Sequence, residues 1–209
     1  MLNTICFDVG ETLVNFQPNN SFYRELANLL LADEDTVKRY IKAHISNKNV
    51  TLDTFAYLIR ERFNRKELSL SRICEVSSQC TSTYKLCPGV LETLEELRKR
   101  NYKIIAVSNT LSFRYIPLQE LCIGQYIDQA FYSFECGYVK PDKAFFNTVT
   151  DRLGITGRDI VLIGDSLKSD YWGAKSAGWN AILLNRERAK LPPSIVQIYD
   201  LLDLLTLFR

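Results

Sequence analysis

The sequence predicts an α/β fold, a doubly wound and mostly parallel sheet interrupted by an inserted all-helical unit. Three observations carry this. Short apolar runs recur along the chain and end at polar clusters. Helical patterns with glycine stops lie between the later runs. One long stretch after the first run carries helical patterns alone. Apolar strands alternating with helices make a parallel sheet covered on both faces.

The first run, Thr4-Ile5-Cys6-Phe7, stops at Asp8, and Gly10 and Thr12 follow. It reads as a short buried strand ending in a loop. No convincing buried strand lies between about Asn19 and Leu86. That stretch predicts helices over 21–31, 33–45, 51–63 and 71–84, starting at the capping residues Ser21, Asp33, Thr51 and Ser71. Pro88-Gly89 then opens a helix with Val90, Leu91, Leu94 and Leu97 at helical spacing, its glutamates preceding Arg98, Lys99 and Arg100. The second strand, Lys103 to Val107, ends at Ser108-Asn109-Thr110. A third is expected over 129–134, ahead of Gly137 and Lys140-Pro141-Asp142. A helix from Ala144 stops at Gly154. Ile160 to Ile163 ends at Gly164-Asp165-Ser166, and a helix over 170–177 stops at Gly178. Asn180 to Leu184 forms a fifth strand, Ile195 to Ile198 a short sixth, and the apolar tail 201–208 a last helix.

Composition narrows the function. The chain has 209 residues, 46% hydrophobic and 24% charged, with a net charge of +2. That balance gives no electrostatic reason to expect nucleic acid or an anionic membrane as partner. His44 is the single histidine, which excludes every site needing two. The six cysteines include no CxxC pair and read as small hydrophobes. No signal peptide and no membrane-length apolar run is present, so a cytoplasmic protein with reduced thiols is expected.

The chemistry lies at four strand ends. They carry Asp8, then Ser108-Asn109, then Lys140, then Gly164-Asp165 with Asp170 five positions later. Ligands of doubly wound sheets sit beyond the carboxyl ends of the strands. Asp8 alone would be an ordinary turn residue. Together the four groups suit a divalent cation and a phosphate. A carboxylate attacking a phosphoryl group meets an anion, and magnesium between them offsets the repulsion. Magnesium favours carboxylates, carbonyls and water. Asp8 and Asp165 supply carboxylates, with Asp170 supporting the metal from behind. A hydroxyl, an amide and an ammonium, from Ser108, Asn109 and Lys140, can hold the phosphoryl oxygens.

The segments ICFDVGETL, IIAVSNT, ECGYVKPD and VLIGDSLKSD, followed by GAKSAGW, resemble in order the motifs of the haloacid dehalogenase (HAD) superfamily, whose members are mostly phosphatases. The resemblance covers roughly residues 1–15 and 88–200. It implies a Rossmann-like core domain over 1–16 and 87–209 and a helical cap domain over 17–86 that closes on the site. It makes Asp8 the nucleophile of an aspartyl-phosphate, has Ser108 bind phosphoryl oxygens, and has Lys140 steady Asp8 and the transferring group. Magnesium would lie between Asp8, Asp165 and the Gly10 carbonyl, with Asp170 in support. The implied partner is a small phosphorylated metabolite. Monomer and homodimer both stay open.

One position departs from that pattern. The family's phosphatases place a second Asp two residues after the nucleophile, and here Gly10 stands there. General acid–base catalysis typically contributes ~10²–10⁴-fold, so its loss raises the barrier by roughly 3–5 kcal/mol. Glu11 is adjacent, but the next residue of an extended segment points to the other side. Asn15 is no acid at neutral pH. The expectation is therefore a phosphatase whose rate depends on its leaving group. Three alternatives stand beside it: a 2-haloacid dehalogenase, which also lacks the second Asp but does not need Asp165; a non-catalytic phosphate-binding protein; and a phosphomutase, which Gly10 disfavours most.

Overall fold

The structure is a computed structural model that describes residues 2–16, 22–79 and 84–208. At its centre lie β1 (Thr4–Asp8), β4 (Lys103–Ser108), β5 (Gln129–Tyr132), β6 (Ile160–Gly164), β7 (Asn180–Leu184) and β8 (Gln197–Ile198). They form one sheet in the order β5-β4-β1-β6-β7-β8, every pair parallel. From β1 the strands run outward first to β4 and β5, then to β6, β7 and β8 on the other side. The order reverses at β1, so its carboxyl end opens on the sheet's ligand crevice.

The strands are apolar throughout because both faces are covered. Ile5, Phe7, Ile104, Ala106, Val161 and Ile163 pack on one face against Val90, Leu94 and Leu97 of α5 (Val90–Lys99) and Leu204 of α9 (Leu204–Leu207). Cys6, Ile105, Val107 and Leu162 pack on the other against Phe145, Phe146 and Val149 of α7 (Lys143–Leu153) and Ala174 of α8 (Gly173–Ser176). The alternation follows the two-residue period of a strand. Gly154 ends α7 at φ +65, a conformation costly to residues with a Cβ.

Four helices lie between β1 and α5 in sequence: α1 (Phe22–Leu30), α2 (Glu34–His44), α3 (Leu52–Arg62) and α4 (Leu70–Gln79). Asp33 and Thr51 cap α2 and α3 as expected, each accepting a backbone N–H with its side chain. The helices share their own core, with Leu26, Val37, Ile41, Phe55, Ile59 and Ile73 fully buried and Leu111 and Phe113 joining from the loop after β4. That loop fastens them to the rim of the sheet. The Ser112 hydroxyl accepts from Val50 N–H at 3.0 Å and donates to its carbonyl at 2.6 Å. Arg114 donates to the Ser77 carbonyl at 2.9 Å.

Several expected elements are corrected. The helix expected to reach Tyr84 is described over Leu70–Gln79, and Tyr84 itself is not helical. Tyr84–Leu86 is instead a strand, β3, paired antiparallel with β2 (Val14–Phe16) where none was expected. The third strand stops at Tyr132, because Ser133–Cys136 turns into a short helix, α6, closed by Gly137. The helix expected from Asp170 begins as a π-helical turn at Leu167–Trp172. Such turns recur at functional sites. The tail is two short turns, Leu201–Asp203 and α9. Cys6, Cys74, Cys87, Cys122 and Cys136 are free thiols, while Cys80 and the start expected for the first helix lie outside the described residues. No helix among the described residues is long and apolar enough to cross a membrane.

Candidate active site

Asp8, Gly10, Ser108, Asn109, Lys140, Asp165 and Asp170 all line one cavity of about 440 Å³ at the carboxyl ends of β1, β4 and β6. The fold thus brings together every sequence-predicted site residue.

Lys140 is the hub. Its ammonium donates to Asp8 Oδ1 at 2.5 Å and to Asp170 Oδ1 at 2.7 Å. Asp8, Asp170 and Lys140 are all buried. Burial pushes the Asp8 carboxyl up to about 7; Lys140 partly offsets this and the Asp170 charge adds to it. Burial alone would lower Lys140, but Asp170 and Asp8 outweigh it and hold the ammonium firmly charged. Partial burial and the Asp170 charge also raise Asp165.

Asp170 and Asn109 are held in ways their sequence positions did not reveal. Asp170 Oδ2 accepts the Ser166 N–H at 3.0 Å, so both of its oxygens already accept a hydrogen bond. It sits on the π-helical turn, where Asp170 N–H and Tyr171 N–H both donate to the Ser166 carbonyl. Gly164 makes room for it. A Cβ there would lie 2.5 Å from Asp170 Cγ, closer than side chains tolerate. Asn109, expected on phosphoryl oxygens, is bonded to the Lys140 main chain through both ends of its amide. Its Nδ2 donates to the Lys140 carbonyl and its Oδ1 accepts the Lys140 N–H, each at 2.8 Å.

The carboxylates fit a hard cation. One oxygen from each of Asp8, Asp165 and Asp170 lies within 4.8 Å of the others. Three carboxylates against one ammonium (−3 + 1) leave an excess of two negative charges, and an all-oxygen donor set suits magnesium.

Gly10 leaves its place on the cavity wall without an acid. Glu11, expected to face away, also lines the cavity. The reason is its backbone: φ is +55, so the extended-segment argument does not apply. Arg186 holds this turn from beyond β7, donating to the carbonyls of Glu11 and Thr12.

Another part of the cavity wall was not foreseen. It carries Tyr23 of α1, Lys38 and Lys42 of α2, and Arg114 of the loop after β4. Lys38 and Lys42 are four apart on one helix face, a usable signal only once the docked face is known. Arg24, Arg60 and Arg62 do not line this cavity. His44 lies against Tyr40, the two rings tilted with centroids 5.0 Å apart, and it does not line this cavity.

The family model for haloacid dehalogenase-like hydrolases matches residues 2–178. The chain belongs to that family. A glyceraldehyde 3-phosphate phosphatase of Methanothermobacter thermautotrophicus is 25% identical over 197 residues, spanning 90% of this chain and 87% of the relative. A ribulose-1,5-bisphosphate 5-phosphatase of Halopiger xanaduensis is 32% identical over 101 residues, 48% of this chain and 42% of the relative. Among solved structures, a HAD phosphatase from Thermococcus onnurineus superposes with a TM-score of 0.65 at 22% identity, covering 99% of this chain and 97% of the other. A 2-haloacid dehalogenase from Pseudomonas syringae superposes at 0.71 and 19% identity, again with 99% and 97% covered. Those superpositions show that the chain has the HAD fold.

Proposed function

We propose that the protein is a magnesium-dependent phosphatase of small phosphorylated metabolites that works through an aspartyl-phosphate on Asp8. The observation that carries this is the pairing of a buried Asp8, at the point where the strand order reverses, with the Lys140 ammonium inside a carboxylate cluster. The phosphatase relatives support it, and their named substrates are small phosphorylated sugars.

Lys140 holds Asp8 Oδ1, which leaves Oδ2 to attack phosphorus. The bond from Asp8 to phosphorus forms as the bond to the leaving oxygen breaks, and that oxygen leaves as an anion or takes a proton. Water then attacks the same phosphorus, releasing inorganic phosphate and restoring Asp8. The Lys140 ammonium and the Ser108 hydroxyl stabilise charge gathering on the transferred oxygens. Asp8, Asp165 and the Gly10 carbonyl are the proposed ligands for magnesium, which supplies charge that offsets carboxylate–phosphate repulsion. Asp170, with both oxygens engaged, positions Lys140 and the Ser166 turn. Asn109 is likewise proposed to position Lys140 rather than to hold phosphate. Residues 17–86 are proposed as the cap and 1–16 with 87–209 as the core.

The deciding experiment is a magnesium-dependent screen of phosphorylated metabolites, run beside Asp8→Asn. Turnover that is lost when magnesium is removed and lost in Asp8→Asn supports the reading, and turnover that survives Asp8→Asn overturns the covalent route. A second reading, a phosphate-binding protein of low turnover, rests on Gly10. It gains if a metal fluoride is trapped on Asp8 while no phosphate ester in the panel is hydrolysed.

A further inference from the structure

Part of the cavity wall is cationic, and the chemistry proposed at Asp8 does not use it. Lys38 and Lys42 share one face of α2, and Arg114 reaches the same cavity from the loop after β4. Arg114 is fixed there, its guanidinium 4.2 Å above the Phe22 ring and its Nη1 on the Ser77 carbonyl. Tyr23 completes the wall, with the Lys38 ammonium 5.7 Å from its ring centre. Among the described residues, neither lysine makes an ion pair with a carboxylate. Lys42 is held below its ordinary range by partial burial and then by the like charges of Lys38 and Lys140, and the Asp170 and Asp8 charges offset this only in part.

Like charges gathered on one wall repel unless an anion meets them. In the proposed chemistry Lys140 and Ser108 already meet the scissile phosphate beside Asp8, which leaves these cations for another anion. A cavity of about 440 Å³ has room for more than a phosphoryl group; ligand pockets generally start near ~300 Å³. We propose that Lys38, Lys42 and Arg114 form a subsite for a second acidic group, a carboxylate or a second phosphate, so that the preferred substrates are small phosphate monoesters with an anion at their far end. This rests on the phosphatase reading and adds the substrate class to it.

The test uses two probes of nearly equal shape, 4-carboxyphenyl phosphate and 4-carbamoylphenyl phosphate, which differ in one charge. The full-length enzyme hydrolyses the carboxylate probe with a kcat/KM about tenfold or more above the amide, mainly through KM, as a charge-assisted contact provides. Raising the salt concentration shrinks that ratio. Lys42→Met and Lys38→Met shrink it further, and Lys42→Arg keeps most of it. Asp8→Asn protein, titrated calorimetrically with both probes, reads the same preference as a ratio of Kd values without turnover. Equal affinity of the two probes there overturns the subsite even if no probe is hydrolysed. Hydrolysis of both at equal kcat/KM overturns the subsite and leaves the phosphatase reading standing. A preference that survives Lys38→Met/Lys42→Met also overturns it.

Discussion

Asn109 clasps the main chain of Lys140, its Nδ2 donating to the Lys140 carbonyl and its Oδ1 accepting the Lys140 N–H, both at 2.8 Å. The bonds join the carboxyl end of β4 to the loop that carries the ammonium. They fix where that ammonium meets Asp8. Asn109→Ala leaves two backbone groups of a buried residue without these partners, each costing about 1–3 kcal/mol. The expected outcome is a lower Tm and a kcat reduced by roughly tenfold or more, with KM for small phosphates changing less. Asn109→Asp is expected to fail too, because its second oxygen would face the Lys140 carbonyl. A kcat equal to wild type for both variants would show that Lys140 is held by other means.

Gly164 and Asp170 form a second pair in which one residue exists for the other. A Cβ at Gly164 would stand 2.5 Å from Asp170 Cγ and Oδ2. Gly164→Ala therefore displaces the carboxylate that shares Lys140 with Asp8. Activity is expected to fall by roughly tenfold or more. On an Asp170→Ala background, where the clash is gone, Gly164→Ala is expected to add little, since contacting residues are not additive. Full additivity would show that the glycine serves the sheet alone.

The sheet was legible because its strands are buried on both faces and so write themselves as apolar runs ending in polar residues. The floor of the site was legible for the same reason, since Asp8, Ser108 and Asp165 mark strand ends. The β2–β3 ribbon was not. It has three residues a side, too few to show a period, and it pairs Val14 with Leu86 across the whole helical insert. Ser133 was read as strand because 130–134 is apolar and aromatic but for that serine. Its hydroxyl instead takes the Thr110 N–H and reaches the Ser46 carbonyl at 2.6 Å, a tertiary demand that bends the chain. The cationic wall was illegible because the helix face that meets the cavity depends on docking. Lys38 and Lys42 look like solvated charges in the sequence, as Arg24, Arg60 and Arg62 do.

Stability should respond to pH through Asp8. Its carboxyl titrates at about 7 in the fold against 3.8 as the ordinary value, chiefly because it is buried. Between those values the folded chain keeps a proton that the unfolded chain has released. Stability therefore falls as pH rises through this window. Asp8→Asn removes the titration while Asp170 still pairs with Lys140. In metal-free buffer, the Tm of Asp8→Asn minus that of wild type is expected to grow from pH 5 to pH 8. Parallel Tm profiles would show that Asp8 ionises normally. Magnesium at pH 8 is expected to raise the wild-type Tm more than that of Asp8→Asn, because binding to the folded state alone stabilises it.

Gly10 sets the last prediction. A leaving group that departs without a proton needs no acid, so aryl phosphates should turn over far faster than alkyl phosphates. The missing acid is worth ~10²–10⁴-fold on an alkyl ester. The backbone at Gly10 does not have positive φ, so an aspartate is conformationally tolerated there. Gly10→Asp is expected to raise alkyl turnover by at least tenfold, part of what an acid supplies, and to change aryl turnover little. Glu11 lines the cavity beside it and is the nearest candidate for a substitute acid. If Glu11 serves, wild-type alkyl turnover is already appreciable, Glu11→Gln lowers it selectively, and Gly10→Asp restores it in that background. If alkyl esters match aryl esters in the wild type and neither substitution changes the ratio, the reaction draws its proton from elsewhere.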